Sequence, residues 1–295
     1  KKLAKAPEQK VFKLWEGLGY YTRCKNLLAT ANYIAREKNG KFPGTYDEIL
    51  DLKGIGPYTA AAIASFAFNL PHAVVDGNVY RVLSRFFGIE IATGTTTGKK
   101  FFTELAQELL DKKLPGSYNQ AIMDFGAVIC KPNNPLCIQC PLKTRCIARL
   151  QGKIDELPLK AAPLIKKKRW FYYLIFEYNG KIYIRKRGAK DIWENLFEFV
   201  LVETERQVTV ENIKATDIFK KIAGNSMPAI QQVSEMFRQQ LTHQTIHSCF
   251  IQLKLKNAPQ LKDFKAVGYR ELSRLPFPKI ITAYLAENEL KAFVQ

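Results

Sequence analysis

Leu52-Lys53-Gly54-Ile55-Gly56-Pro57-Tyr58-Thr59, followed by an alanine-rich apolar run and then Val74-Val75-Asp76-Gly77-Asn78-Val79, is the stretch whose reading decides this chain. The first part predicts a glycine hairpin feeding a helix, with Pro57 at the first helical position, where its missing N–H costs nothing. Bare backbone amides that meet a helix N-terminus suit a phosphate. The second part delivers one carboxylate, Asp76, at a turn just before another helix. A lone Asp near a phosphate hairpin suits chemistry on whatever carries that phosphate. Capping the following helix is the plainer use of such an Asp.

The totals agree with a nucleic-acid partner. Lys and Arg number 45 against 27 Asp and Glu, a formal charge of +18. The excess is spread along the chain and is not gathered in one tail, as expected of a basic nucleic-acid-binding protein. A basic but solvated surface is the alternative. At 295 residues with 47% hydrophobic content, two globular domains are expected. The chain opens Lys1-Lys2-Leu3 with no signal-peptide pattern, and the longest apolar run, Thr59 to Leu70, is too short to span a bilayer. A cytoplasmic protein, nucleoid-associated if bacterial, is expected.

Working outward, Val11, Phe12, Leu14, Trp15 and Leu18 read as one helical face, broken at Gly17-Leu18-Gly19. A second helix carries Leu27, Leu28, Ala31 and Ile34. A short one spans Tyr46 to Leu50 with Thr45 as N-cap, and a buried one runs from about Pro57 to Phe68. Further helices start near Val79, Lys99 and Tyr118. Gln151 to Lys168, with Pro158, Pro163 and a lysine run, reads as a connector. Beyond it the period changes to strands at Trp170–Tyr178, Lys181–Arg187, Leu196–Glu203 and Thr245–Leu255, with Asn179-Gly180 as a hairpin turn. Helical patterns are read at Val210–Ala223, around Ile230–Arg238 and at Lys279–Phe293. The first half is all-α and the second α+β.

Four of the six cysteines follow Cys130-x6-Cys137-x2-Cys140-x5-Cys146. Without an export signal this crowding points to a metal or cluster site. Zinc favours paired two-residue knuckles, of which one is present. A four-cysteine iron–sulfur cluster tolerates uneven spacing, so spacing leaves both open. Cys24 and Cys249 read as buried, inert thiols.

The hairpin, the Val75-Asp76-Gly77-Asn78 turn and the cysteine pattern together resemble the helix-hairpin-helix DNA glycosylases. Within them, Trp15-Glu16-Gly17-Leu18-Gly19-Tyr20-Tyr21-Thr22-Arg23 and the added C-terminal domain are similar to the A/G-specific adenine glycosylases, the MutY family. The resemblance spans essentially the whole chain, specific up to Cys146 and looser after Arg169. It implies a multi-domain fold. An all-α helix-hairpin-helix glycosylase domain with a [4Fe–4S] cluster loop occupies 1–149. A connector follows at 150–168, then an α+β Nudix-like domain at 169–295 that recognises 8-oxoguanine. The partner implied is double-stranded DNA with an A:8-oxoguanine or A:G mismatch, bound by a monomer.

The resemblance also implies roles. Asp76 becomes the carboxylate that steadies the sugar cation, with Asn78 orienting it or a water. Tyr58, the third catalytic residue implied, stands where strand-cleaving relatives carry a lysine; a phenol forms no Schiff base, and its implied role is to line the pocket and support Asp76. Tyr20 matches the wedge inserted beside the damaged guanine. Gly54, Ile55, Gly56 and Thr59 form the DNA-binding hairpin, its glycines clamping a phosphate while Ile55 packs inward. Cys130, Cys137, Cys140 and Cys146 hold the cluster. Leu241, Thr242 and His243 align with the family's Phe-Ser-His loop that meets 8-oxoguanine, with Leu for Phe and Thr for Ser. The paired Arg-Glu and Glu-Glu signature of Nudix hydrolases is absent from the sequence, which argues against pyrophosphate hydrolysis. The family's general acid, a Glu, precedes the region matching Lys1, so a missing N-terminal segment is expected. The expected activity is hydrolysis of the N-glycosidic bond of mispaired adenine by a monofunctional enzyme. The alternatives are a lesion-binding fragment without chemistry and an endonuclease III-like lyase.

Overall fold

The structure is a computed structural model that describes residues 1–161, 165–189, 191–223, 227–259, 261 and 263–288. In chain order the described residues form α1 (Lys2–Lys5), α2 (Glu8–Trp15), α3 (Tyr21–Glu37), α4 (Tyr46–Leu50), α5 (Pro57–Phe68), α6 (Gly77–Phe87), α7 (Thr96–Leu109), α8 (Pro115–Val128) and α9 (Ile147–Leu150). Strands β1 (Lys167–Tyr178), β2 (Lys181–Lys186), β3 (Phe197–Glu198) and β4 (Val200–Thr204) follow. Then come α10 (Val210–Lys214), α11 (Asp217–Ala223), β5 (Ala229–Val233), β6 (Phe237–Gln240), β7 (Gln244–Lys254), β8 (Lys265–Gly268), α12 (Tyr269–Leu272) and α13 (Lys279–Glu287). Packing divides the chain into two compact units, Ala29–Pro163 and Lys1–Leu28 with Leu164–Gln295. This line differs from a division after residue 149.

In the helical unit, local signals act as read. Thr45 caps α4 by accepting from Glu48 N, and Pro57 sits at the start of α5. The hairpin packs on one small cluster, where Ile55 lies against Ile49, Ala60 and Ala64. The amphipathic α6 packs Val79 and Leu83 against Phe102 and Ala106 of α7.

In the other unit, β1 is a central strand. It pairs in parallel with β7 from Lys167↔Gln244 to Glu177↔Lys254, and antiparallel with β2 and β4. Both of its faces are covered, so six consecutive residues from Phe171 to Phe176 are buried, as a strand walled on two sides requires. Tyr172, Leu174 and Phe176 face Phe219 and Ile222 of α11. Phe171, Tyr173 and Ile175 face the cluster that holds Phe277, Ile281 and Tyr284. Asn179 and Gly180 both adopt positive φ (47° and 69°), the geometry that a two-residue hairpin demands.

Phe12, Tyr21, Cys24 and Leu28 are buried in that second cluster, which explains why the first 28 residues pack with the sheet. The face read through α2 is therefore corrected. Phe12 is fully buried and Val11 and Trp15 pack beside it, whereas Leu14 and Leu18 are 78% and 64% exposed. Leu18 lies past the end of α2, because the chain turns through Gly17 at φ +89°.

Ile230–Arg238 is also corrected: it forms β5 and β6, both paired with β7. A register shift between Ile230 and Gln232 breaks the alternation, so Ile230 and Val233 fall three apart and imitate a helix. The Val210–Ala223 helix is two, divided at Ala215-Thr216. Leu196–Glu203 is likewise two short strands. The helix read to Phe293 is α13 as far as Glu287, and its last residues lie outside the described ones.

Candidate active site and cysteine loop

The hairpin presents what a phosphate needs. Gly54 takes φ +83°, a left-handed backbone that a side chain would strain. Gly56 is extended and serves as N-cap of α5 with no side chain satisfying that end, so the first amides of the helix stay available. Gly54, Gly56 and Tyr58 are exposed, and Thr59 is half-buried. No hydrogen bond joins Tyr58 to Asp76 among the described residues.

Asp76 caps α6, which starts at Gly77, two residues before Val79. Its Oδ1 accepts from the amides of Asn78 and Val79, both at 2.8 Å. Its Oδ2 accepts from Asn78 Nδ2, also at 2.8 Å. Three donors thus fix one carboxylate at a helix N-terminus, where a negative charge is favoured. Capping and holding a carboxylate ready are the same geometry here.

Asn78 is held in turn. Its Oδ1 accepts from Arg81 Nη2 at 2.8 Å. Arg81 is buried and also donates to Gly126 O at 2.6 Å and, through Nε, to Cys130 O at 2.7 Å. Gly126 must lack a side chain, since a Cβ there would lie 2.6 Å from Asn78 Cβ. One turn on, the fully buried Arg85 donates to Leu157 O (3.0 Å), Lys131 O (2.7 Å) and Pro132 O (3.1 Å). Both arginines escaped the sequence reading. The signal was there in retrospect: two cations one turn apart amid the apolar positions Val79, Val82 and Leu83.

Cys130, Cys137, Cys140 and Cys146 line one cavity of about 30 Å³, together with Ile129, Pro135, Ile154, Lys143 and Arg149. Arg85 Nη1 approaches Cys130 Sγ at 3.6 Å, and Cys146 Sγ lies 3.4 Å from Arg85 O. Among the described residues no three ligands close on a single metal ion. Burial pushes the Cys137 thiol up, and the three neighbouring sulfurs add to that shift. A cationic centre would relieve this mutual repulsion, because metal binding favours the thiolates. The donor set therefore fits a thiolate-held group.

The other predicted residues lie in the sheet unit. Tyr20 has φ +48° and is 69% exposed. Leu241, Thr242 and His243 form the tip between β6 and β7. Leu241 packs against the core, whereas Thr242 and His243 are exposed, with Leu241 N donating to Gln244 O at 2.8 Å.

The helical segment and the sheet each have recognisable kin. A model of the HhH-GPD superfamily of base excision DNA repair proteins matches residues 1–108, and a NUDIX domain model matches 171–287. The adenine DNA glycosylase of Buchnera aphidicola subsp. Schizaphis graminum is 35% identical over 261 residues, 86% of this chain and 71% of that protein. That of Buchnera aphidicola subsp. Baizongia pistaciae is 36% identical over 254 residues, 83% of this chain and 67% of that protein. This chain belongs to the adenine DNA glycosylase family. The human adenine DNA glycosylase is 43% identical over 156 residues, 52% of this chain and 29% of that protein.

As a member of the adenine DNA glycosylase family, the chain joins a helix-hairpin-helix glycosylase region to a Nudix-like sheet. In the sheet, Glu198 is spent on structure. It is buried, pairs with Arg187, and accepts from Arg185 Nε at 2.9 Å. Among the described residues no helix is long and apolar enough to cross a membrane.

Proposed function

We propose that the chain performs base excision on adenine mispaired with 8-oxoguanine or guanine, as a monofunctional glycosylase. The observation that carries this reading is the carboxylate of Asp76, held by three donors at the start of α6 in a chain that also exposes a glycine-bearing hairpin before α5. In the reaction the bond from the sugar C1′ to the adenine nitrogen breaks, and its electron pair leaves with the base. The departing adenine takes up a proton, Asp76 stabilises the sugar cation left behind, and water adds at C1′ and gives up a proton, so that one water is added across the broken bond. Asn78 and Arg81 hold Asp76 on target. Tyr58 offers no amine for a Schiff base, so the strand stays intact.

The nucleotide must first leave the duplex. Tyr20 takes the role of wedge, the Gly54–Thr59 hairpin that of phosphate clamp, and Thr242 and His243, with Leu241 beneath, that of reader of 8-oxoguanine. Cys130, Cys137, Cys140 and Cys146 would hold a [4Fe–4S] cluster, which supplies a cross-link across the loop and no reaction step. The working divisions are the glycosylase region to residue 149, a connector to 168 and the reader from 169. The protein acts as a monomer in the cytoplasm, at the nucleoid in a bacterium.

Adenine release and duplex binding, measured together on an A:8-oxoguanine duplex, test the reading. Asp76→Asn is expected to lower release by at least about 10²-fold while binding persists. Full activity in that variant would remove Asp76 from the chemistry. Binding without release by the unsubstituted chain would assign lesion recognition alone, and a borohydride-trapped DNA adduct would assign a lyase.

A further inference from the structure

Between α2 and α3 the chain passes through three left-handed residues, Gly17 (φ +89°), Gly19 (φ +71°) and Tyr20 (φ +48°). Left-handed backbone is ordinary for glycine and strained for tyrosine, so something must hold Tyr20 there. Its neighbours do so at both ends. Trp15 Nε1 donates to Gly19 O at 3.0 Å, and Arg23 N donates to Tyr20 O at 2.8 Å as α3 begins.

The side chains add a second tie. The Arg23 guanidinium carbon lies 5.1 Å from the Tyr20 ring centroid and 6.0 Å from that of Trp15. Trp15 itself packs against the buried cluster around Phe12 and Phe277. The order is therefore core, indole, guanidinium, phenol, and only the last ring stands out in solvent. Arg23 is exposed, and among the described residues its guanidinium meets no carboxylate. A surface arginine without an ion pair has little reason to stay in one place unless a ring face holds it.

We propose that Arg23 is a positioning residue that holds Tyr20 ready to enter a DNA base stack. An aromatic free to swing must be ordered when it inserts, and that ordering weakens the insertion. A guanidinium over both rings performs the ordering in advance. The inference rests on the reading that Tyr20 enters DNA, and the experiment separates the two.

A duplex with 2-aminopurine beside 8-oxoguanine reports unstacking as a rise in fluorescence, read on the full chain at saturating protein. Arg23→Met is expected to cut that rise by about two- to fivefold, the range for an exposed cation–π contact, with duplex affinity nearly unchanged. Arg23→Lys, which keeps the cation, recovers part of the rise. Tyr20→Ala abolishes it. A full rise in Tyr20→Ala would overturn the wedge reading and this proposal with it. A lost rise in Tyr20→Ala beside a full rise in Arg23→Met would overturn the proposal alone. So would weaker binding in Arg23→Met with a salt slope reduced by about one and an unchanged rise at saturation, since Arg23 would then serve only a phosphate.

Discussion

At the scale of single residues, the site is a short relay of hydrogen bonds that begins at a buried cation. Arg81 holds Asn78, and Asn78 with two backbone amides holds Asp76. Gly126 belongs to the same unit because nothing larger fits against Asn78. Gly126→Ala should therefore displace Asn78 and slow single-turnover adenine release by about 10- to 100-fold, the scale of an ångström-sized misplacement. Duplex affinity should be unaffected, and an unchanged rate would show that Asn78 is free to move. Gly54→Ala acts elsewhere. Its left-handed backbone makes a Cβ cost about 1–2 kcal/mol, visible as a lower urea midpoint together with weaker DNA binding. Asp76 was legible from its motif. Arg81 and Arg85 were not, since a buried arginine looks like a solvated one until carbonyls 45 and more residues away, those of Gly126 and Lys131 among them, are folded against it.

At the scale of elements, the sheet unit depends on charge placed where water is scarce. Arg187 and Glu198 are both buried and pair across neighbouring strand segments, and Arg187 also reaches Asp191 at 2.7 Å. Removing Arg187 leaves the buried Glu198 with Arg185 alone. Arg187→Met is expected to cost up to about 3–5 kcal/mol in urea denaturation, and the double variant Arg187→Met/Glu198→Leu markedly less. Equal losses in the two would mean that the pair is not the source of the cost. Most elements were readable from period and punctuation, as in the alternation of Ile182 and Ile184 or the Asn179-Gly180 turn. β5 was not, because a bulge replaced its period of two by a spacing of three.

At the scale of the whole molecule, each packing unit holds a histidine kept neutral by its surroundings. Burial pulls the His72 imidazole below its ordinary value, outweighing nearby Asp47, and it stacks on Tyr46 at 4.2 Å. Burial, aided by Arg238 and Lys168, lowers His247, which stacks on Trp170 at 5.2 Å. The unfolded chain binds these protons near pH 6.5, the ordinary histidine value, and the folded chain only at lower pH. Stability contributed by the two sites is thus full above about pH 6.5 and is lost as pH falls through their lower folded values. Thermal unfolding should shift down between pH 7.5 and 5.5 by an amount that His72→Gln and His247→Gln reduce. No change in that difference in either variant would exclude these groups as its source.

By itself, the sequence determined the local turns and caps and most of the elements that carry them. Gly54, Pro57, Asp76 and Thr45 act through their own backbone and the next few residues, so local order suffices to read them. The cysteine spacing pointed in the same way to four thiols that line one cavity. Only tertiary structure decided what surrounds them. It put Phe12 in the core and Leu14 in solvent, made strands of Ile230–Arg238, and aimed two buried arginines from α6 at the cysteine loop. It also laid Arg23 over Tyr20. Those outcomes depend on partners distant in the chain or on turns that redirect it, and period and spacing carry no record of either.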